Sequence, residues 1–213
     1  MNNEIFESIK KNTGLIAIFT LVVGSALAAT NALTKDRIAE EVLKAQSKAL
    51  NEVVPSHLRS NTLLSSPFTL SPATQQALNL DNDSVGWQAS NNNQITAVVV
   101  PVTATDGYSG DIDLLVGIDR NLNITGVRVV THTETPGLGD KIELRKSDWI
   151  LSFNGTSIQI PSSDWAVKKD GGQFDQFTGA TITPRGVVNS VYMALQQAEK
   201  NQSIWFGEVS NER

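Results

Sequence analysis

The sequence predicts an α+β protein: one N-terminal transmembrane helix, then an extracytoplasmic domain with an antiparallel sheet and packed helices. Three observations predict this fold class. Residues Asn12–Thr34 carry no charge. A series of β-branched apolar segments, separated by turn residues, begins at Ile95. An apolar-periodic run follows Pro184. Strands followed by a terminal helix are typical of α+β domains.

The first element is the uncharged stretch of 23 residues from Asn12 to Thr34. As an α-helix it reaches roughly 34 Å, enough for the ~30 Å hydrocarbon core of a bilayer. It predicts a membrane anchor that follows a short cytoplasmic N-terminus at residues 1–11. A cleaved signal peptide is the alternative, because the start is basic and Ala26–Ala28 resembles a cleavage site. The length of the run favours the retained anchor, since signal peptides have a shorter apolar core.

The orientation of the anchor is not fixed by charge, because basic residues flank it on both sides. The signal-like start favours a cytoplasmic N-terminus and an extracytoplasmic main domain. Residues 35–93 are interpreted as a membrane-proximal helix, capped by Thr34 and ended by Pro55, and a peripheral segment. That segment, Ser56–Asn93, is rich in Ser, Asn and Pro, and it contains a short predicted helix at Ser71–Leu80.

The main domain is predicted to span residues 94–204, with a C-terminal tail at 205–213. Its sheet is predicted as an antiparallel meander of Ile95–Thr103, Asp111–Asp119 and Ile124–Thr131. A short helix at Ser147–Phe153 and short strands at Ser157–Ile160 and Trp165–Gly172 are predicted to follow. The last element is a helix from Pro184 to about Asn201. Its buried stripe comprises Val187, Val188, Val191, Leu195 and Ala198.

Composition excludes several classes of function. The chain has no cysteine, which removes thiol catalysis, zinc fingers and disulfides. His57 and His132 are its only histidines, so a multi-histidine metal site is not available, and we expect no metal. The net charge is -5, and no basic stripe stands out in the sequence. Nucleic acid is therefore not an expected partner.

The first candidate site segment is Thr131–Lys141, which directly follows a predicted strand. Pro136, Gly137 and Gly139 predict a turn with little side-chain bulk, so that backbone can approach a flat ligand closely. A tight surface loop explains the same pattern. Glu134 and Asp140 could form an acid pair, but their spacing across the turn does not ensure that they meet.

The second candidate segment is Thr178–Thr181, which reads Thr-Gly-Ala-Thr ahead of the last helix. Thr183 is predicted as the N-cap and Pro184 as the first helical residue. The free amides of the first turn and the helix dipole would then favour a phosphate, to which Arg185 could add positive charge. A plain helix cap with incidental threonines is the alternative.

These two segments, taken with the strands between them, resemble the FMN-binding domain shared by the RnfG subunit of the Rnf (Rsx) electron-transport complex and a related subunit of the sodium-translocating NADH:quinone reductase. The resemblance covers about Tyr108 to Ala198. It rests on the Glu134–Gly139 and Thr178–Thr183 motifs, which occur in the family's order. The single anchor and the chain length are more similar to the RnfG subunit, since the quinone reductase subunit is usually longer.

The resemblance implies FMN bound covalently, through a phosphoester on the hydroxyl of Thr181. It also implies that the flavin ring packs near the first segment. No catalytic residue is expected beyond the flavin itself. Besides Thr181, the candidate cofactor-binding residues are Thr178, Gly179, Ala180, Thr183, Glu134, Thr135, Leu138 and Gly139. Thr178 stands where many family members have Ser, and Pro184 stands where they often have Ser. Neither difference affects the attachment position.

The resemblance further implies an electron-transfer subunit of an oxidoreductase (a translocase) that couples electron flow to ion movement in the bacterial inner membrane. The N-terminus would be cytoplasmic and the main domain periplasmic. Its partners would be the other membrane subunits and a flavin transferase, whose recognition motif has an aspartate where this chain has Asp175. A stand-alone membrane-anchored FMN reductase and a non-enzymatic extracytoplasmic scaffold are the alternatives.

Overall fold

A single helix, α1 (Asn2–Val53), begins the computed structural model, which describes residues 2–207. Its 26-residue stretch Lys10–Lys35 has the length and apolar composition of a membrane-spanning helix, and the most apolar part of it is fully exposed. The predicted N-terminal transmembrane helix is therefore present. The chain divides into two units, one ending at Ala45 and one beginning at Gln46.

The prediction that Thr34 caps a second helix was wrong, because α1 passes through Thr34 without a break. The Thr34 hydroxyl donates to the carbonyl of Thr30 at 2.8 Å, which is the bond a threonine makes inside a helix. The predicted end is confirmed: α1 ends at Val53, two residues before Pro55.

The second unit is built on a five-stranded sheet in which every strand pairs antiparallel with its neighbour in sequence. The strands are β1 (Pro67–Thr69), β2 (Val85–Asn91), β3 (Gln94–Ala104), β4 (Ile112–Asp119) and β5 (Ile124–Thr131). The three strands predicted from sequence are confirmed as β3, β4 and β5.

Strands β1 and β2 come from the segment that the sequence analysis treated as peripheral. β1 has only three residues. The pairing of β2 shifts register between Ala89 and Ser90, which breaks the alternation that marks a strand in sequence. The predicted short helix between them is confirmed as α2 (Pro72–Ala77), capped by the Ser71 hydroxyl.

Both faces of the sheet are covered. In β3, Val98, Val100 and Val102 belong to one hydrophobic cluster, while Ala97 and Val99 belong to another. The first cluster includes the last long helix, α3 (Ile182–Lys200), and the second includes the end of α1. Coverage on both sides explains why β3 reads as a continuous apolar run in sequence.

The connection from β5 to α3 consists of 3₁₀ helices and loops. The short helix predicted around Trp149 is confirmed as a 3₁₀ helix, Asp148–Phe153. The strands predicted at Ser157–Ile160 and Trp165–Gly172 were wrong: these segments make only single bridges, at Ser157 and Val167. Their apolar side chains pack one by one on the first cluster, so they carry the composition of strands without a partner strand.

The helix α3 has the predicted buried stripe, since Val187, Val188, Val191, Leu195 and Ala198 are all buried. A further short helix, α4 (Gln202–Phe206), places Trp205 and Phe206 in the core. The folded domain therefore extends past residue 204, where the predicted tail begins. Residues 208–213 of that tail lie outside the described residues.

Candidate functional site

A cavity of about 310 Å³ lies between the loop after β5 and the start of α3. This volume is at the lower end of the roughly 300–1,000 Å³ of small-molecule pockets. The structure brings the two candidate segments together here. The first supplies Glu134, Thr135, Leu138 and Gly139 to the lining, and the second supplies Gly179, Ala180, Thr181 and Thr183. Thr178 belongs to the same loop but is exposed and does not line the cavity.

The loop after β5 turns sharply on its own backbone. The carbonyl of Thr135 accepts hydrogen bonds from the amides of Leu138 and Gly139, both at 3.1 Å. Gly137 has φ of +80°, a left-handed conformation that glycine adopts without steric cost. Its amide donates to Oδ1 of Asp140 at 2.7 Å. The turn leaves Leu138 partly exposed at the edge of the cavity.

Glu134 ties this loop to the rest of the site. Its side chain is buried, and Oε2 accepts a 2.6 Å hydrogen bond from the Thr183 hydroxyl. Oε1 accepts from the amide of Ser109 at 3.0 Å. A Cβ at Gly139 would lie 2.5 Å from Glu134 Oε2 and 2.9 Å from Thr183 Oγ1. Glycine is therefore required at position 139 for the loop and the helix to approach this closely.

Glu134 and Asp140 do not form an acid pair. Asp140 is also buried, but its carboxylate binds the amide of Gly137 and lies 3.4 Å from Nζ of Lys146. The two carboxylates therefore have separate partners, and they hold the turn rather than share a proton.

His132 supports the loop through its backbone. Its Nδ1 accepts a 3.0 Å hydrogen bond from the amide of Glu134, which requires the ring proton on Nε2. Nε2 then donates to Oε1 of Glu143 at 2.9 Å. Glu143 also binds the guanidinium of Arg145, and this bond, with a smaller contribution from His132, lowers the pKa of Glu143 to about 2 against the opposing effect of burial.

The loop before α3 presents Thr181 to the cavity. Gly179 has φ of +81°, and the amide of Ala180 donates to the carbonyl of Phe177 at 3.2 Å. Thr181 directly precedes the first helical residue, Ile182, and its side chain is partly exposed. Across residues 2–207 no hydrogen bond engages the Thr181 hydroxyl. The amides of Ile182 and Thr183 open the helix and have no acceptor within it.

Two predictions about this helix start were wrong. Thr183 is not the N-cap: α3 begins at Ile182, and the Thr183 hydroxyl is fully buried against Glu134. Pro184 is consequently the third helical residue, where its missing N–H still costs no hydrogen bond. Arg185 does not extend toward the cavity, because its guanidinium pairs with both carboxylate oxygens of Asp170, at 2.5 and 2.6 Å.

Two lining residues were missed by the sequence analysis, Tyr108 and Ile182. Both are exposed apolar side chains beside the cavity. A signal for the first was present: Gly107 and Gly110 bracket a tight turn, in which a Cβ at Gly107 would lie 2.0 Å from the carbonyl oxygen of Gly110. That turn carries the Ser109 amide to Glu134.

Asp175 lies upstream on the same connection and is exposed. Its carboxylate pairs with Nζ of Lys168 at 2.6 Å, and its carbonyl accepts from the indole of Trp149 at 2.7 Å. A larger cavity of about 480 Å³ lies elsewhere, around Asn79, Pro101 and Asp113. It contains none of the predicted site residues, so size alone does not identify the site.

The residues around the smaller cavity fit a flat ring that carries a phosphate arm. Tyr108, Leu138 and Ile182 offer apolar surface to a ring. Thr181 offers an unengaged hydroxyl beside the free amides and positive dipole of a helix start, where a phosphate is stabilised. FMN has both of these parts, so the residues present suit the cofactor that the sequence resemblance implies.

Comparison with known proteins agrees with this geometry. Residues 107–196 match the FMN-binding domain family, and residues 1–53 match the RnfG N-terminal region. A protein of Shewanella amazonensis, named as the G subunit of an ion-translocating oxidoreductase complex, is 44% identical over 201 residues, covering 94% of this chain and 93% of that protein. Proteins of the same name from Vibrio cholerae and Erwinia tasmaniensis are 41% and 45% identical, covering 92% and 88% of this chain and the same shares of their own lengths. The chain therefore belongs to the RnfG family of ion-translocating oxidoreductase complex subunits.

Proposed function

We propose that this chain is a membrane-anchored electron-transfer subunit of an ion-translocating oxidoreductase complex, and that it carries FMN as a phosphoester on Thr181. One observation carries the site assignment. Thr181 lines the cavity at the start of α3 with a partly exposed hydroxyl that has no hydrogen bond within residues 2–207. By contrast, the Thr183 hydroxyl is buried and bound to Glu134.

The ester forms between Oγ of Thr181 and the phosphorus of FMN. The hydroxyl loses its proton, and the product is lighter than threonine plus free FMN by one water. A separate flavin transferase must supply the FMN in activated form, and Asp175, exposed upstream, is available to that enzyme. Once attached, the phosphate meets the amides of Ile182 and Thr183 and the positive end of the helix dipole.

Bound FMN supplies the redox chemistry, the acceptance and release of electrons. The protein supplies position and electrostatics. The narrow turn at Gly139 lets the loop approach the helix, and Leu138, Tyr108 and Ile182 provide apolar surface. The covalent bond removes the dissociation equilibrium, which is useful in a compartment where free FMN is scarce.

The membrane helix fixes the site near other carriers. Residues 12–34 contain no charged residue, so this helix offers no path for an ion across the membrane. Ion movement therefore belongs to the partner membrane subunits. We place the chain in the bacterial inner membrane, with its N-terminus in the cytoplasm and the unit that begins at Gln46 in the periplasm.

The test compares Thr181→Val with Thr178→Val, a matched control in the same loop. Full-length protein is purified from its own cells, denatured, and analysed by in-gel flavin fluorescence and intact mass. We expect fluorescence and the added mass in the wild type and Thr178→Val, and neither in Thr181→Val. An unmodified wild type would reject the proposal in favour of a scaffold. Flavin-bearing protein that purifies alone and reduces an acceptor would instead indicate a stand-alone reductase.

A further inference from the structure

The loop after β5 carries two buried carboxylates with opposite electrostatic surroundings. Asp140 lies 3.4 Å from the ammonium of Lys146, so its charge is offset by a cation. Glu134 has no Lys, Arg or His nitrogen within 4.0 Å among the described residues. Its partners are the neutral hydroxyl of Thr183 and the neutral amide of Ser109. Glu134 lines the cavity, whereas Asp140 does not.

The contacts of Glu134 suit its ionised form. Both carboxylate oxygens accept a hydrogen bond, from an O–H and an N–H donor. Thr183 is the second residue of α3, so the carboxylate also lies beside the positive end of that helix. With only 4% of its surface exposed, the side chain is poorly screened by water and salt. Within the described part of the chain, the cavity wall therefore contains one negative charge that lacks a counter-ion.

We propose that the charge of Glu134 lowers the reduction potential of the flavin held at this site. The inference rests on the proposed function, since it requires a flavin in the cavity. Reduction adds negative charge to the flavin whenever fewer protons than electrons are taken up. A fixed, poorly screened carboxylate in the wall opposes that addition. The same residue also holds the loop to the helix, so the test must separate charge from position.

Three variants separate the two roles. Glu134→Gln removes the charge and can keep both contacts, because its oxygen accepts from Ser109 and its amide donates to Thr183. Thr183→Val keeps the charge but removes a hydrogen bond that offsets it. Asp140→Asn removes the paired charge from the same loop. A purely positional role would shift the potential in one direction when either Glu134 or Thr183 is changed, while a charge effect shifts it in opposite directions.

The experiment is a spectroelectrochemical titration of full-length, flavin-bearing protein in detergent, followed by flavin absorbance. At the wild-type midpoint we expect the ratio of reduced to oxidised flavin to rise about tenfold or more in Glu134→Gln, or ~30 mV for a two-electron couple. We expect that ratio to fall in Thr183→Val and to change by less than about twofold in Asp140→Asn.

The inference is overturned if Glu134→Gln carries flavin with the wild-type potential, or if Thr183→Val shifts in the same direction as Glu134→Gln. It is also overturned if Asp140→Asn shifts as much as Glu134→Gln. If Glu134→Gln does not retain flavin, the sign of the shift in Thr183→Val decides. Wild-type protein without flavin would reject the proposed function itself, which intact mass reports before any titration.

Discussion

The hydroxyl of Thr183 donates a 2.6 Å hydrogen bond to Oε2 of Glu134, and the two residues are 49 positions apart in sequence. This bond joins the loop after β5 to the start of α3, the two segments that form the small cavity. It also engages Thr183, a threonine that sequence alone makes a candidate for modification. The bond therefore shapes the site and leaves Thr181 as the available hydroxyl inside it.

Thr183→Val is expected to destabilise the domain by about 1–3 kcal/mol, because one buried carboxylate oxygen loses its donor without being replaced by an apolar group. Urea unfolding followed by tryptophan fluorescence measures this, since all four tryptophans lie after Gln46. Thr178→Val is the control: Thr178 is exposed, and its expected effect is within about 0.5 kcal/mol. Equal effects of the two variants would contradict the role given to Thr183.

Gly139→Ala is expected to cost about 1–3 kcal/mol, because the new Cβ would push against Glu134 Oε2 and Thr183 Oγ1. The cause can be isolated with a double-mutant cycle in the Glu134→Ala background, which removes the nearest of these atoms. There the cost of Gly139→Ala should shrink. An unchanged cost would mean that the glycine is needed for its backbone conformation alone.

Glu143 gives the domain a defined response to acid. Binding to Arg145, with help from His132, lowers its pKa from the ordinary 4.5 to about 2. The stabilisation is therefore complete above pH 4.5 and is lost as the pH falls toward 2. Wild type should lose more unfolding free energy than Glu143→Gln over this window, and added salt should narrow the gap because Arg145 is exposed. Parallel pH profiles of the two proteins would contradict this assignment.

The topology can be tested with single cysteines, since the chain has none of its own. A membrane-impermeant maleimide should label Ser162→Cys in cells with a permeabilised outer membrane. It should label Glu7→Cys only after the inner membrane is broken. The reverse pattern would contradict a periplasmic domain. Intact mass of mature protein that lacks the residues up to Ala28 would show a cleaved signal peptide instead of an anchor.

Much of this architecture could be predicted from sequence, because the signals are local. The uncharged run of α1, the β-branched runs of β3 to β5 and the apolar stripe of α3 each identify their element. The two small-residue segments were predicted as site candidates from turn and helix-start chemistry, and the structure brings them into one cavity.

What could not be predicted depends on partners distant in sequence. Thr183 resembled an N-cap because its neighbours fit a helix start, and only the fold shows that Glu134 takes its hydroxyl. Arg185 is drawn to Asp170 for the same kind of reason. Strand β1 is too short to give a period, and Trp165–Gly172 has the composition of a strand but no neighbour to pair with.

The attachment of FMN to Thr181 is tested most directly by peptide mapping of wild-type protein from its own cells. Trypsin should release Asp170–Arg185, which contains Thr178, Thr181 and Thr183. The account predicts that this peptide is heavier by FMN less one water, with fragment ions that place the addition on Thr181. Only the unmodified peptide, or an addition on Thr178 or Thr183, would contradict it.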